Sequence, residues 1–404
     1  MKARRILLYL FFFLLVLLWR SLYGTTMFAG EDAFQVYLIG LKCYTTDLFP
    51  YWGPDVVYTQ SQIPGALQGL LVGGPFFLKA VPESPFLLLN LLSLSALCFL
   101  SWYLSQRIPT VPKWFLWTWL LTAPWVMSYS THIENPSYLL PVSVLFFVSI
   151  WELFPLYERK VIAAKWAFFG LGFSLFWVMQ LHLSWVLLLP YIGLAFWFQL
   201  GHTGAFWRAV FFFLMGAVIP ASLLMPAILE FGFASSGGTE QNIGLNLGNL
   251  AEIPNIAAKM LSFACGEVVR FIGANHSERL DFLRTHVWAA PATVLFALIG
   301  LAQFFLFAVS FFQKRAQPDW NKVKGFMLGS IGLVCFSYLF TNQPPKAHAF
   351  YLMLPVAFWY SFYAYGNLFA KRSFRILAIV FLLSGIVFQI AVAQKNAQIG
   401  RAHV

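Results

Sequence analysis

Four short polar clusters stand out in a chain that otherwise avoids charge. Of its 404 residues, 60% are hydrophobic and only 10% are Asp, Glu, Lys or Arg. The first cluster is the adjacent pair Glu31 and Asp32. A carboxylate beside a membrane can act as a general base towards an acceptor hydroxyl, and a pair can divide proton abstraction from metal or acceptor positioning. A solvated carboxylate at a helix start is the plainer reading of the same residues. The second is His132-Ile133-Glu134-Asn135-Pro136. His and Glu two apart can share a divalent cation or hydrogen-bond a sugar, or simply close a turn before a new helix. The third, Gln180-Leu181-His182-Leu183-Ser184, splits an apolar stretch too long for one helix. An unpaired imidazole there is costly, so a partner or ligand is expected. The fourth, Asn342-Gln343-Pro344-Pro345-Lys346-Ala347-His348, runs into Tyr351 and Pro355. Lys346 and His348 can offer positive charge to a phosphate or pyrophosphate.

The elements that must carry these clusters are apolar helices. Hydrophobic stretches at 6–19, 85–104, 114–129, 138–151, 166–179, 183–198, 209–229, 287–312, 325–341, 349–364 and 376–393 are mostly near the length that crosses hydrocarbon. Lipid-exposed sheet edges would leave backbone groups unpaired, so the expectation is an all-α polytopic membrane protein with about 11 transmembrane helices. It forms a single membrane domain over 1–404, with no low-hydrophobicity span long enough for a soluble domain. Lys2, Arg4 and Arg5 before the first apolar run suggest an uncleaved signal anchor. The first outer loop, 24–84, contains Pro64–Ala80, whose four glycines and Pro75 suit a re-entrant or interfacial helix. The long loop 231–286 opens on Ser235-Ser236-Gly237-Gly238. It then places Ile256, Met260, Phe263, Ala264, Val268 and Phe271 on one helical face, either for the outer leaflet or for packing on the protein. Cys43 and Cys265 both fall in the two long loops, so a bridge is open, but no regular spacing marks a disulfide framework.

The net charge of +11 is distributed as a topology signal rather than as a nucleic-acid surface. Basic residues gather in short connections: Lys2/Arg4/Arg5, Arg107/Lys113, Arg159/Lys160/Lys165, Arg208, Lys314/Arg315/Lys322/Lys324 and Lys371/Arg372/Arg375. With 64–80 not crossing, all of these lie on the cytoplasmic side with the N-terminus. Every acidic residue except Glu152, Glu158 and Asp319 then lies outside, together with the four clusters. There is no Walker loop, dinucleotide fingerprint, HExxH or CxxC. An enzyme built this way would take an already activated substrate, and lipid-linked substrates meet that requirement.

In order and spacing the clusters resemble the GT-C superfamily of membrane glycosyltransferases, near its protein O-mannosyltransferase and aminoarabinose-transferase branch. Glu31-Asp32-Ala33-Phe34-Gln35-Val36-Tyr37-Leu38-Ile39-Gly40 is similar to that branch's acidic motif after the first helix, here in the order Glu-Asp. Ile63-Pro64-Gly65-Ala66-Leu67 resembles the Pro-led segment that packs beneath this loop. Glu134 matches a second acidic position, and Gly170-Leu171-Gly172 with His182 matches a Gly-Leu helix ending near the lipid phosphate. His348, Tyr351 and Pro355 match a late basic-x-x-Tyr-x-x-x-Pro motif.

The resemblance implies an inverting transfer from a polyprenyl-phosphate sugar donor to a lipid, glycan or protein acceptor. It would occur at the outer face of a membrane, with the bacterial inner membrane expected. Asp32 would be the base, assisted by Glu31. Glu134 and His132 would bind acceptor, sugar or metal. His182, Lys346 and His348 would stabilise the lipid-phosphate leaving group, beside Tyr351. No cofactor is implied with certainty; a divalent cation is compatible, and no nucleic-acid partner is implied. The competing class is a transporter or flippase for a lipid-linked or small polar substrate. Coupled carriers place ionisable residues near the bilayer midplane, whereas 85–106, 114–131, 287–313, 325–345 and 376–394 hold no Asp, Glu, Lys, Arg or His.

Overall fold

Apolar sequence without alternation folds here as helix almost throughout. The computed structural model describes residues 2–26, 31–56, 61–134, 137–200, 203–232, 244–314, 319–341 and 346–402. The helices are, in order, α1 (Lys2–Thr26), α2 (Glu31–Thr46), α3 (Leu67–Leu78), α4 (Ser84–Arg107), α5 (Lys113–Thr122), α6 (Pro124–Thr131), α7 (Leu139–Leu153), α8 (Ala164–Met179) and α9 (Leu189–Trp197). They continue with α10 (Thr203–Ala221), α11 (Met225–Phe231), α12 (Ile253–Ser262), α13 (Val269–Ile272), α14 (His276–Thr285), α15 (Ala290–Ser310), α16 (Trp320–Tyr338), α17 (Leu354–Tyr365) and α18 (Arg372–Ala402). One two-stranded antiparallel hairpin, β1 (Trp52–Val56) with β2 (Ser61–Pro64), interrupts the all-helical plan.

Each of the eleven apolar stretches has a helical counterpart, but several are broken. Among the described residues three helices are long and apolar enough to cross a membrane: Ser84–Arg107, Ala290–Ser310 and Arg372–Gln398. A fourth is obtained if α10 and α11, bent by 66° at their junction, count as one span. These helices are compatible with an integral membrane protein. The 183–198 and 349–364 stretches each begin as a 3₁₀ turn (Leu183–Leu188 and Ala347–Met353) before continuing as α9 and α17. The 12-residue α3 is about 18 Å long, short of a hydrocarbon core of about 30 Å.

The face read in 256–272 is real, but it is not one helix. α12 ends at Ser262, and Phe263 to Val268 run irregularly before α13. Ile256, Met260, Phe263, Ala264 and Val268 are buried in the protein core, with Phe271 half-buried beside them. Of the two readings, the face therefore packs on the protein and not on a leaflet. Beyond the helix end Gly266 lies against Gly300 of α15, where a Cβ on Gly300 would meet the Gly266 carbonyl. The freed backbone finds side chains instead: Trp119 Nε1 donates to the Ala264 carbonyl at 3.2 Å, and Gly266 N–H donates to Gln303 Oε1 at 3.0 Å. All four cysteines are free, Cys43 and Cys265 included. The Ser235–Gly238 stretch lies outside the described residues.

One long helix defines two ends. α4 spans about 36 Å. Near its start, Asn90 donates to the Thr131 carbonyl at 3.1 Å, and Tyr138 reaches the Pro85 carbonyl at 3.4 Å. Near its finish, Arg107 pairs with buried Glu152, which also accepts from Tyr103 at 2.6 Å and from Val161 N–H at 2.8 Å. The basic connection 159–162 is thereby tied to the end of α4 opposite to Thr131.

Helix contacts elsewhere depend on the absence of side chains. A Cβ on Gly172 of α8 would strike the Phe213 carbonyl of α10, and one on Gly216 would strike the Phe169 carbonyl. Small residues allow such backbone approach between apolar helices. Gly172→Ala should lower stability by about 1–3 kcal/mol, read as a drop in the detergent-solubilised thermal midpoint. Gly329→Ala, which meets open space inside α16, should leave the midpoint unchanged or raise it slightly.

Candidate functional site

Pro124 shapes the floor of the site. It has no N–H to continue α5, and the residue before a proline is disfavoured in the helical region. Ala123 is accordingly extended (φ −63°, ψ 142°), and the 114–129 stretch divides into α5 and α6. The break frees the carbonyls of Leu121 and Thr122. Arg20 of α1 donates from Nη1 to Leu121 O at 2.8 Å, and Gln389 of α18 donates from Nε2 to Thr122 O. Arg20 also contacts Met127 Sδ at 3.4 Å and donates from Nη2 to Ser130 Oγ, so it grips α6 as well as α5. One turn above it, Gly24 abuts the Thr131 carbonyl so closely that no Cβ would fit.

α6 then delivers the second cluster. His132 follows Thr131 directly and is buried, with Nε2 3.3 Å from Glu134 Oε2. Ser137 closes the turn, its N–H donating to the Glu134 carbonyl at 2.8 Å. Two buried atoms of this turn, His132 Nδ1 and Glu134 Oε1, have no hydrogen-bond partner among the described residues. Unsatisfied buried groups each cost free energy, which a ligand with matching donors or acceptors would recover. Asn135 and Pro136 lie outside the described residues.

Around the turn is an aromatic and cationic wall. Trp125 and Tyr129 stack with centroids 5.5 Å apart, and Tyr129 lies 5.1 Å from Tyr351 and 6.4 Å from His132. Arg270 covers Trp125 at 4.7 Å and donates to the Tyr129 hydroxyl at 2.6 Å. Glu267 accepts from Trp125 Nε1 at 2.7 Å. Glu134 lies within electrostatic reach of both tyrosines, and Arg20 within reach of Tyr351.

The third and fourth clusters meet each other. His182 caps the 3₁₀ turn Leu183–Leu188, its Nδ1 accepting from Ser184 N–H at 3.0 Å. A backbone N–H can only donate, so the ring proton sits on Nε2. Burial, and then the nearby His348, push the His182 imidazole down to about 3 although the residue keeps partial exposure. It is thus a neutral hydrogen-bond donor at ordinary pH, and Ser184 is the partner that its burial called for. His348 and Tyr351 share the turn Ala347–Met353, which joins the two halves of the site; Ser143 of α7 anchors it by donating to the Leu352 carbonyl at 2.9 Å. Lys346 opens the same turn and is exposed. Asn342 to Pro345 lie outside the described residues.

The first loop reaches the same region. Gly65 (φ 114°) lies against the Gln180 side chain, where a Cβ would stand 2.5 Å from it. Gln180 in turn donates to the Pro220 carbonyl at 2.7 Å, and Ala66 N–H donates to the Leu223 carbonyl at 3.3 Å. The Ile63–Leu67 segment therefore seats directly beside the His182 turn. Glu31 and Asp32 open α2, and Gly40 of that helix packs on Val72 and Gly73 of α3; the side chains of Glu31 and Asp32 lie outside the described residues.

Searches against family models, curated proteins and solved structures find no match to this chain. Among the described residues no group of three or more His, Cys, Asp or Glu is placed to hold a metal ion.

The structure thus brings His132, Glu134 and Tyr351 together, and His182 with His348. It adds residues that the sequence reading did not assign: Arg20, Trp125, Tyr129, Glu267 and Arg270. Arg20 had a signal of its own, as a guanidinium inside a long apolar run. The others are ordinary interfacial types whose roles arise from contact.

His182 generates a pH prediction. Its folded-state pKa is about 3 against an ordinary 6.5, so the unfolded chain takes the proton first. Its contribution to stability is complete above 6.5 and is lost as pH falls towards 3. His182→Asn keeps a capping acceptor without the titration. Its thermal midpoint should fall less than the wild type's between pH 7 and 4.5; equal slopes would refute the assignment.

Proposed function

We propose that this protein is a membrane glycosyltransferase that takes a sugar from a polyprenyl-phosphate donor and transfers it to a hydroxyl or amine of a lipid, glycan or protein acceptor. In this reading each of the eleven apolar stretches makes one crossing, with the N-terminus cytoplasmic. The turns described above then open on the outer face, in bacteria that of the inner membrane. The observation that carries the proposal is convergence. Elements separated by hundreds of residues, at 63–66, 129–134, 180–184, 267–270 and 347–353, assemble at the end of α4 opposite to its tie with the basic connection 159–162. A structural bundle has no need to gather polar turns at one end.

The chemistry assigned to the site is a single displacement. Asp32, assisted by Glu31, takes the proton from the acceptor group. The acceptor atom bonds to the anomeric carbon from the face opposite to the phosphate, and the bond from that carbon to the phosphate oxygen breaks with its electron pair. Inversion follows. The unpaired edge of His132 and Glu134 suits a polyol or amino-sugar group, which presents donors and acceptors at short spacing. Neutral His182 donates a hydrogen bond to the departing phosphate, while Lys346 and His348 supply the positive charge. If a divalent cation takes part, Glu134 and His132 are the residues offered to it.

A second reading has one observation in its favour. Arg20 and Gln389 are polar side chains buried inside apolar helices, as the path of a transporter or flippase would require. Purified protein in lipid vesicles separates the two: a transferase forms glycosylated product from a polyprenyl-phosphate sugar, whereas a carrier only moves the lipid between leaflets. Transfer should be abolished in Asp32→Asn with the folded protein retained, and full activity there would sink the base assignment. Glu134→Gln should lower kcat/KM by about 10–100-fold, the cost of a charge-assisted contact.

A further inference from the structure

The α5–α6 break is capped from two sides by unlike groups. At Thr122 a neutral amide, Gln389, suffices for the freed carbonyl. At Leu121, one residue away, the cap is a fully buried guanidinium that pairs with none of the described carboxylates. Capping by itself therefore does not call for a charge, which is costly to bury. What distinguishes Arg20 is its reach. Its planar fork holds Leu121 on α5 and Met127 and Ser130 on α6 at the same time from two nitrogens fixed in one plane, whereas an ammonium would reach them only from a single rotating point. Ser130 stands two residues before His132, and Gly24 of the same helix locks the intervening Thr131. The guanidinium also lies within electrostatic reach of Tyr351, which faces Tyr129 and senses Glu134.

We propose that Arg20 is a positioning residue: it sets the angle at which α6 leaves the break and so places the His132–Glu134 turn against Tyr129 and Tyr351. α1 is then a working part of the site and not only an anchor. Gln389 of α18 steadies the other side of the same break. This deepens the transferase reading, and its kinetic test rests on that reading; its structural test does not.

The experiment uses the full chain in detergent or nanodiscs. Hydrogen exchange of peptides covering 121–138 is compared between wild type, Arg20→Met, Arg20→Lys and Gln389→Leu, with α8 and α15 peptides as internal controls. Arg20→Met should raise exchange in 121–138 by about tenfold or more while the control peptides stay protected. Arg20→Lys, which keeps the charge but not the fork, should fall between the two. Unchanged exchange in Arg20→Met, a uniform rise over all peptides, or wild-type behaviour of Arg20→Lys would each overturn the proposal. Should Arg20→Met fail to fold, Gln389→Leu decides: a rise confined to 121–138 supports it and none overturns it. With any polyprenyl-phosphate sugar that the wild type uses, Arg20→Lys should lower kcat about tenfold and leave the donor KM within about twofold. The exchange arm needs no substrate, so absence of transfer in the wild type would reject the function and leave the positional result standing.

Discussion

A peptide carbonyl released inside an apolar molecule must find a donor, and most of this structure's functional end is arranged around that requirement. Pro124 ends one helix and starts another, which frees Leu121 and Thr122. Their donors come from α1 and α18. The first and last helices of the chain are thereby drawn to the same point. The irregular stretch 263–268 obeys the same rule, with Trp119 and Gln303 serving Ala264 and Gly266. In both places broken helix, rather than continuous helix, presents side chains to the site.

The second organising feature is a division of labour between the ends of α4. One end is closed: Glu152 meets Arg107, Tyr103 and the backbone of Val161 and Ile162, and Arg107 also lies over Tyr157. The other end is built from irregular turns that touch one another, those of His132, His182 and His348. Aromatic rings carry much of the wall at the open end, because Trp125 and Tyr129 offer flat apolar surface together with one polar atom each. Their cationic cover, Arg270, is borrowed from a segment more than a hundred residues away.

Much of the fold was legible before any coordinate. Apolar runs mark where helices form, and each of the eleven stretches proved helical. The inward face of 256–271 was also legible, since its spacing follows the helical period. Periodicity could not say what that face packs against, because a leaflet and a protein core are equally apolar. Nor could it find the break at Phe263, whose freed backbone groups are met by Trp119 and Gln303, far away in sequence. The small hairpin at 52–64 lacked alternation long enough to read. Of the site, the turns carrying His132, Glu134, His182, His348 and Tyr351 were recognisable as polar residues out of place. Arg20 was visible as a charge in the first apolar run, but its role was not, since its partners at Leu121 and Ser130 are distant in sequence.

The sequence by itself determined the segments that must be helical, since composition and hydrophobic run length act locally. It also determined which residues are available for chemistry, because few are charged. Tertiary structure alone decided which of them meet. His182 became a neutral donor through Ser184 and its enclosure, and His132 and Glu134 became a half-satisfied pair through burial. Arg20 became the link between two halves of a helix. Each of these outcomes depends on contacts between remote segments, whose partners and distances no local pattern encodes.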